Sequence, residues 1–470
     1  MSDEVDYLVK GAGAMSMGFV DVLLRETDAT IAIVDRGAAP GGHWNHSYPF
    51  VRLHQPAPLY GLASRGLGDD RIDTEGVNAG LQALPTGTQV ADHFHRAMEE
   101  TFLPSGRVRY FPMCQLADDG EITPLLGGPR RRLHARRRFV DGSHLETAIP
   151  LTHRRGFEVA AGVACVPPND LPRRAPGFGH FVVLGGGKTG LDCVSWLLDA
   201  GAPPASIGWV ISRDAWWSNR RAFQTAAPLR TGTLRLMVST NEAMAAAASL
   251  DDLADGMEAA GAWLRLDPGV RPSMFHAATV TPRELERARG IGRIVREGKV
   301  LSLEPGCIKL QGGELPCPGD TLFVDATASA LAHNCHDRTP IFSPGRIDLQ
   351  LVRFPAIAQS AGLLACIEAH VEDDAAKQGM ARPVPMIDTV ADWVERTATG
   401  MANQAASLAD SRVRQWLAGS RLNAIGAMMA TIPPDDAQAL ALRDRIGSLM
   451  PEVARNMTRM TEALATAPRG

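Results

Sequence analysis

Two segments of the chain repeat one pattern, in which a short apolar run is followed by a glycine-rich turn and then by an amphipathic helix. The first reads YLVKGAGAMSMGFVDVLL from Tyr7, and the second reads FVVLGGGKTGLDCVSWLL from Phe181. A short apolar run that stops beside glycine predicts a buried parallel strand, and the apolar spacing after it predicts a helix packed on that strand. Each segment therefore predicts the start of a βαβ unit.

The first turn, GAGAMS, matches the G-x-G-x-x-G pattern of dinucleotide-binding folds with Gly11 and Gly13, and it places Ser16 at the third position. The first glycine makes the tight turn, and the second lets backbone N–H groups approach a pyrophosphate at the helix N-terminus. The third position only has to let helix and strand pack closely, so a serine is acceptable. The next strand, ATIAIVD, ends in Asp35 and Arg36, where a carboxylate can accept hydrogen bonds from a ribose diol.

The second turn, GGGKTG, carries all three glycines of the pattern and follows the strand FVVL. Its GKT resembles the end of a Walker phosphate loop, but that loop requires a glycine at the position of Val182, so the spacing excludes it. The residues expected to bind a second nucleotide here are Gly185, Gly187, Lys188, Thr189 and Gly190.

The strand after the second turn, SIGWVIS, ends in Ser212 and Arg213 rather than in an acid. A guanidinium at this place can pair bidentately with a ribose 2′-phosphate, whereas a carboxylate would repel it. The pattern therefore favours NADPH over NADH. Asp214 keeps the alternative open, because a neighbouring acid could bond a free ribose instead.

The segments PGGHW from Pro40 and SYPFVRLHQP from Ser47 follow the first motif. With the two glycine turns, they resemble the class B flavin monooxygenases, the group that holds the Baeyer–Villiger and the N- or S-oxygenating enzymes. That family similarly has a Gly-Gly-x-Trp turn and a Tyr-Pro shortly after it, in a segment that wraps the FAD. The resemblance implies FAD or flavin contacts for Gly42, Trp44, Arg52, His54 and Gln55.

The second half of the resemblance lies around the second turn. Asp192 and the segment SRDAWW match the family's second domain, and FVDATA resembles the strand that crosses back to the FAD domain, which implies cofactor contacts for Asp325 and Thr327. One departure is that no histidine follows FEVAAG before His180, where the family has one. This departure favours flavin chemistry other than Baeyer–Villiger oxidation.

The resemblance implies a function as an NADPH-dependent FAD monooxygenase. Hydride would pass from NADPH to FAD, and oxygen would then be activated for N-, S- or C-oxygenation of a small organic substrate, with Arg52 and His54 as the catalytic residues. Arg52 would stabilise developing negative charge. Two alternatives stay open: a flavin-dependent dehydrogenase or reductase without oxygen insertion, and a non-catalytic nucleotide-binding protein. No motif specifies the substrate or the oligomeric state.

The order of the motifs predicts an α/β fold with two Rossmann-like dinucleotide-binding domains, the second inserted in the first, and a helical C-terminal part. At 470 residues the chain is too long for one core, since single cores stop growing at roughly 250 to 300 residues. We expect the first part of the FAD-binding domain at residues 1–170 and the NAD(P)-binding domain at 178–322. Residues 323–470 would return to the FAD-binding domain and add the C-terminal helices.

Composition bears on partners and location. The net charge is −4 and basic residues are scattered, which favours neither nucleic acid nor a membrane surface, and the basic run PRRRLHARRR predicts a solvated hairpin. Lys10, directly before the first glycine, requires water or an anion as a partner. The acidic N-terminus leads straight into a strand, without a signal peptide, and no apolar window reaches about 18 residues, so a cytoplasmic location is expected.

The sequence also argues against several other kinds of site. Seven cysteines lie far apart without a C-x-x-C, which disfavours a disulfide framework and a zinc ribbon. His43 with His46, and the segment HNCH at residues 333–336, have no second spaced pair of ligands, so no metal site is expected. No G-x-S-x-G appears, so a serine hydrolase has no nucleophile elbow.

Overall fold

The computed structural model describes residues 3–145, 147–329 and 338–466. The strands within these ranges are β1 (Glu4–Lys10), β2 (Ile31–Val34), β3 (Val108–Phe111), β4 (Cys114–Leu116), β5 (Glu121–Pro124), β6 (Arg131–Arg132), β7 (His134–Asp141), β8 (Glu158–Val159), β9 (Cys165–Val166), β10 (His180–Leu184), β11 (Ile207–Val210), β12 (Ala215–Asn219), β13 (Trp263–Arg265), β14 (Met274–Val280), β15 (Arg293–Val295), β16 (Val300–Glu304), β17 (Cys307–Leu310), β18 (Gly313–Pro316), β19 (Thr321–Asp325), β20 (Phe342–Ser343) and β21 (Arg346–Asp348). The α-helices there are α1 (Ala14–Glu26), α2 (Gly87–Ala97), α3 (Leu171–Arg174), α4 (Lys188–Asp199), α5 (Arg230–Ala246), α6 (Leu250–Ala259), α7 (Pro282–Arg289), α8 (Ile357–His370), α9 (Asp374–Met380), α10 (Val390–Ala409), α11 (Ser411–Gly419), α12 (Ala424–Ala430) and α13 (Ala437–Thr466).

The first sheet has the strand order β20-β21-β7-β1-β2-β3. Its pairs β1–β2, β1–β7, β2–β3 and β7–β21 are parallel, and only β20 pairs antiparallel. β1 and β2 are the two strands predicted around the first glycine turn, and their buried residues explain the short apolar runs in the sequence. Because β21 comes from residues 346–348, the chain returns to this sheet after a long excursion.

The second sheet is entirely parallel, with the order β15-β11-β10-β19-β9. It contains β10 and β11, the strands predicted on either side of the second glycine turn. A second layer, β18-β17-β16-β8, packs on it through a shared apolar cluster. Two parallel sheets, the second built from residues between the strands of the first, confirm the predicted fold class.

The second sheet extends past the expected range of residues 178–322. β9 and its neighbour β8 lie in residues expected to belong to the first part of the FAD-binding domain, yet they pair with β19 and β16. β19 spans residue 322 and also belongs to the second sheet. Strands of two residues have no alternating pattern that a sequence could reveal, and only their partners identify them.

Helix α8 covers the first sheet together with α1. Every residue of α1 from Met15 to Leu24 is buried, and a Cβ on Gly18 would lie 2.9 Å from Ala361 Cβ of α8. This close approach is possible only because Gly18 has no side chain. The helix-rich C-terminal part predicted from the sequence therefore begins by completing the first core.

Helices α10 and α13 of the C-terminal part pack on the segment between β11 and β15. One apolar cluster joins Trp216, Trp263 and Phe275 to residues of α10 and α13, and α13 also runs along α5. Trp216 is only 1% exposed in this cluster. None of the helices in the described part of the chain is long and apolar enough to cross a bilayer.

The basic run of residues 129–138 forms β6 and the start of β7. Arg130 and Arg132 are exposed and pair with Glu121 and Asp119 of the adjoining strand and turn. The prediction of a solvated hairpin is correct for Arg130 and Arg132, at the end of the β5–β6 hairpin, but from His134 the run enters the first sheet as β7, where Arg138 pairs with Glu368 and Asp374.

Candidate functional site

The first glycine turn joins β1 to α1. Gly11 has a φ of +91°, a conformation that favours glycine, and Gly13 precedes the first residue of the helix. No side chain caps α1, so its first N–H groups are available to an anion. The atom nearest to a Cβ on Gly13 would be Gly42 Cα at 3.9 Å, which means that no side chain fills the turn.

Ser16, at the third position of the pattern, packs against Gly142 directly after β7. A Cβ on Gly142 would overlap Ser16 Oγ and would lie 3.0 Å from the carbonyl oxygen of Lys10. A glycine at the third position usually leaves space between helix and strand. Here that space comes instead from Gly142, which has no side chain and lies directly after the neighbouring strand. Ser16 Oγ is buried and has no hydrogen-bond partner among the described residues.

The carboxylate of Asp35, expected to meet a ribose, braces the first turn. It accepts the N–H of Ala12 and, at 2.5 Å, the N–H of Gly37, while Arg36 is exposed. The hydroxyl of Tyr110 is buried without a partner among the described residues, and burial, together with the charge of Asp35, raises the pKa of Tyr110. Polar groups thus surround the place where the pattern predicts a nucleoside.

Lys10 has an anionic partner, as its position requires. Its ammonium lies 3.3 Å from the Asp141 carboxylate at the end of β7. Burial alone would raise the pKa of Asp141, but hydrogen bonds from Ser143 and Lys10 outweigh it and lower the pKa. The carboxylate of Asp141 therefore stays ionised beside the first turn.

The Gly-Gly-x-Trp segment lies directly on the first turn. The N–H of Gly41 donates to the carbonyl of Ala12 at 2.8 Å, and a Cβ on Gly42 would lie 3.0 Å from Gly13 Cα. Trp44 donates from Nε1 to the hydroxyl of Tyr60 at 2.9 Å. The two sequence motifs predicted to share one cofactor are in contact.

Of the two residues predicted to be catalytic, His54 is the one with a hydrogen-bond partner in the second half of the molecule. Its Nδ1 accepts the N–H of Thr279 at 3.1 Å, so a neutral ring carries its proton on Nε2. Burial, with the charges of Lys188 and Arg220, lowers the pKa of His54 to about 3. His54 is therefore a neutral hydrogen-bond donor at physiological pH, and it cannot act as a cation there.

The neighbours of His54 take different positions. Arg52 is exposed and donates to the carbonyl of Leu84 at 3.1 Å. Gln55 is half-buried. Among these residues, His54 is the one that contacts the second half of the molecule.

The second glycine turn joins β10 to α4 and leaves an open cradle. Gly185 has a φ of +113°, and a Cβ on Gly187 would meet no atom within 4 Å. A Cβ on Gly190 would overlap the carbonyl oxygen of Gly185 and would lie 2.9 Å from Trp209 Nε1. The third glycine is therefore needed for close packing of helix on strand, as the pattern predicts.

Lys188 and Thr189 open α4, and a polar cluster connects this helix to the first half of the chain. Lys188 pairs with Asp192 one turn later and lies 3.6 Å from Glu284, while Thr189 is half-buried. Tyr48 donates its hydroxyl to Asp192 at 2.7 Å, and burial raises the pKa of Tyr48. The segment predicted to wrap the first cofactor thus contacts the helix predicted to hold the second.

Arg213 and Asp214 are each paired with a residue of opposite charge. Both guanidinium NH groups of Arg213 lie 2.7 Å from the carboxylate of Asp388, whereas Ser212 is exposed. Asp214 is buried, and its carboxylate receives two hydrogen bonds from Arg296, at 2.8 and 3.1 Å. The carboxylate of Asp214 is thus committed to Arg296.

Asp325 and Thr327 lie beside the second turn. A Cβ on Gly185 would overlap the carbonyl of Ala326, which places the end of β19 against the glycine turn. Asp325 is 1% exposed and accepts hydrogen bonds from Thr327 Oγ1, at 2.6 Å, and from His153 Nε2, at 3.1 Å. The carboxylate of Asp325 therefore has its hydrogen-bond partners within the protein, at the end of the strand that lies against the glycine turn.

The two histidine-containing segments give no metal site that can be described. Within residues 3–145, 147–329 and 338–466, no three His, Cys, Asp or Glu side chains come together as ligands. The segment HNCH, at residues 333–336, lies outside the described residues.

Comparison with known proteins places the chain among relatives. It is 39% identical over 446 residues to the uncharacterized proteins Rv2000 of Mycobacterium tuberculosis and Mb2023 of Mycobacterium bovis, covering 95% of this chain and 82% of each relative. The chain belongs to their family. No family model matches the sequence.

Two solved structures of similar fold are monooxygenases. The oxidized steroid monooxygenase bound to NADP has 13% identity and a TM-score of 0.50, and the match covers 97% of this chain and 99% of that one. The open crystal structure of cyclohexanone monooxygenase has 11% identity, the same TM-score and the same coverage. The fold implied by the resemblance, that of the class B flavin monooxygenases, is confirmed.

Both turns of this family member fit a nucleotide diphosphate. Each turn combines an uncapped helix N-terminus with a glycine that no side chain crowds, which is the arrangement that binds phosphate. The unpartnered hydroxyls of Ser16 and Tyr110 add polar groups at the first turn.

Arg220 was not predicted from the sequence. It is 1% exposed, and its guanidinium donates to the carbonyls of His54 and Thr279, at 2.9 and 3.1 Å, and to Glu284. Burial alone would raise the pKa of Glu284, but Lys188 and Arg220 lower it. No local signal identifies Arg220, although the capping box formed by Thr281 and Glu284 at the start of α7 is readable as T-x-x-E.

Proposed function

We propose that this chain is an FAD-dependent NADPH oxidoreductase of the monooxygenase kind, which oxygenates a small organic molecule at nitrogen, sulfur or carbon. The observation that carries the proposal is that one segment of the chain connects the two glycine turns, which are the two cradles. Gly41 and Gly42 lie against the first turn, and the residues that follow them contact α4 and β14, through Tyr48 with Asp192 and His54 with Thr279.

FAD is assigned to the first cradle. The open turn at Gly13 and the N-terminus of α1 would bind its pyrophosphate, and the carboxylate of Asp35 would accept a ribose hydroxyl. Gly42 and Trp44 lie over that turn, and we expect them to cover the bound cofactor. The likeness of fold to FAD-dependent monooxygenases supports this assignment.

NADPH is assigned to the second cradle. The open space at Gly187 and the N-terminus of α4 would bind the pyrophosphate, and the guanidinium of Arg213 would bind a 2′-phosphate. A solved neighbour of similar fold is bound to NADP, which supports this assignment.

A bound flavin supplies the transfer of electrons between the nicotinamide and oxygen. The chain's own part is to bind, orient and exclude water. A neutral His54 offers its Nε2–H as a hydrogen-bond donor without carrying charge, and Arg220 fixes its backbone carbonyl. Arg52 is exposed and would add a positive charge to the same segment.

The proposal is tested by blocking each cradle separately. Purified wild-type protein loaded with FAD should retain the flavin absorbance, and NADPH should bleach it without air. Gly13→Leu should lose the flavin, because the side chain fills the first turn. Gly187→Leu should keep the flavin but lose its reduction by NADPH, and each variant serves as the control for the other. Wild-type protein that retains no flavin, or whose flavin NADPH does not reduce, would overturn the proposal.

Labelled oxygen separates the monooxygenase from a dehydrogenase or reductase. Each candidate substrate, an amine, a sulfide or a ketone, is incubated with wild-type protein, NADPH and oxygen-18 gas. Incorporation of one label per NADPH consumed is the expected result for a substrate that is accepted. Turnover with an acceptor dye but without any labelled product identifies the dehydrogenase instead.

A further inference from the structure

Arg213 lies directly against the second glycine turn. It follows β11, the strand beside β10, and its carbonyl oxygen would lie 3.1 Å from a Cβ on Gly186. A cationic residue at the end of this strand is the one that accommodates a ribose 2′-phosphate in such folds. Its guanidinium is therefore the group that decides between phosphorylated and free ribose.

The guanidinium of Arg213 is already paired with a carboxylate of this chain. Asp388 presents both carboxylate oxygens to it, each at 2.7 Å, in the bidentate geometry that a phosphate would adopt. Hydrogen bonds from Arg213, acting against burial, hold the pKa of Asp388 at about 2, so the carboxylate is ionised at physiological pH. A 2′-phosphate has to take the place of this carboxylate.

Asp388 cannot move far when it is displaced. Its carbonyl accepts the N–H of Phe275 at 2.8 Å, and its N–H donates to Asp392 at 3.2 Å, at the start of α10. His276 Nε2 lies 2.8 Å from the same carboxylate and remains as a partner when Arg213 turns away. The negative charge of Asp388 thus stays beside the phosphate site, where like charges repel.

We propose that Asp388 is a specificity-determining residue that weakens binding of 2′-phosphorylated nucleotide by competing for Arg213. This inference rests on the proposed function, because it requires a nicotinamide nucleotide at the second cradle. NADH, which has no 2′-phosphate, leaves the Arg213–Asp388 pair intact. The preference for NADPH is consequently smaller in this chain than Arg213 alone would produce.

The test is calorimetric titration of FAD-loaded protein with NADP⁺ and with NAD⁺. Asp388→Asn removes the charge and should tighten NADP⁺ binding about tenfold, since the pair is partly exposed and the repulsion is screened. The NAD⁺ affinity should change by less than about twofold, because NAD⁺ carries no 2′-phosphate. Asp388→Ser tests the same prediction with a side chain of different size, in case the amide perturbs folding.

Two further variants serve as controls. Arg213→Ala should abolish the preference for NADP⁺, and adding Asp388→Asn to it should then raise the NADP⁺ to NAD⁺ ratio by less than Asp388→Asn does alone, because only the direct repulsion is left to relieve. Asp374→Asn removes the acid of another bidentate pair, with Arg138 of the first sheet, and should leave the ratio unchanged. An unaltered or lowered NADP⁺ to NAD⁺ ratio in both Asp388 variants would overturn this inference alone. Wild-type protein that binds neither nucleotide would overturn the proposed function as well.

Discussion

In both glycine turns the helix packs closely on the strand, but different elements leave the space for this packing. In the second turn the helix gives up its side chain, because any Cβ on Gly190 would overlap the carbonyl of Gly185. In the first turn the helix keeps Ser16, and the neighbouring strand gives up its side chain at Gly142. A missing side chain makes room in both turns, once on the helix and once directly after the neighbouring strand.

The comparison shows what the third glycine of the pattern does. It leaves space, and the fold accepts that space from whichever element provides it. The first glycine of each turn is different, since Gly11 and Gly185 adopt positive φ, and no neighbour can take over that role. A sequence with serine at the third position is therefore compatible with the fold when a glycine ends the adjacent strand.

The largest expected effect follows from putting a methyl group into the second turn. Gly190→Ala should cost about 3 kcal/mol of the free energy of unfolding, because the Cβ overlaps backbone that has no room to shift. Gly187→Ala is the matched control, since its Cβ meets nothing within 4 Å, and its effect on stability should stay within about 0.5 kcal/mol. Urea unfolding monitored by tryptophan fluorescence measures both. Equal unfolding midpoints for the two variants would contradict the packing role of Gly190.

A double-mutant cycle tests whether Gly142 and Ser16 form one unit. Gly142→Ala should cost about 2 kcal/mol, because its Cβ overlaps Ser16 Oγ. Ser16→Gly should be nearly neutral alone and should recover about 1 kcal/mol of the loss in the double variant, the remainder coming from the 3.0 Å approach to the Lys10 carbonyl. Urea midpoints of the four proteins give the coupling. Additive losses would show that the two residues act independently.

Acid should destabilise the protein through three histidines. Burial lowers the pKa of His43, His54 and His93 from 6.5 to about 4, 3 and 4, respectively. Below pH 6.5 the unfolded chain takes up protons that the folded chain refuses, so stability falls as the pH drops from 6.5 towards 4. His54→Gln should flatten this slope, and urea midpoints across that pH range measure it. A variant slope as steep as that of the wild type would show that His54 takes no part.

The smallest effect is expected at Lys10. Lys10→Met removes one partner of Asp141, but Ser143 Oγ at 2.6 Å and Arg346 at 3.0 Å still compensate the carboxylate. The loss should be about 1 kcal/mol or less, because the lysine is partly exposed. Arg132→Ala in the solvated hairpin is the control, with an expected change within about 0.5 kcal/mol. A loss as large as that of Gly142→Ala would mean that Lys10 is the main counter-charge of the first turn.

The parts of the site that the sequence predicted are local. Strand, turn and helix are contiguous around Gly13 and Gly187, so periodicity and glycine spacing suffice to place them. The partners within each site come from far along the chain. Lys10 meets Asp141 across 131 residues, and Arg213 meets Asp388 across 175. Such pairs depend on the order of strands and helices in space, which no short motif specifies.

One apolar core of the molecule can form only after most of the chain has been synthesised. The cluster around Trp263 and Phe275 is completed by α10 and α13, which come more than one hundred residues later. At ordinary rates of translation, roughly 10 to 40 seconds separate the synthesis of its two halves. During that interval an apolar face emerges from the ribosome without its partner, which makes the nascent chain a natural substrate for chaperones.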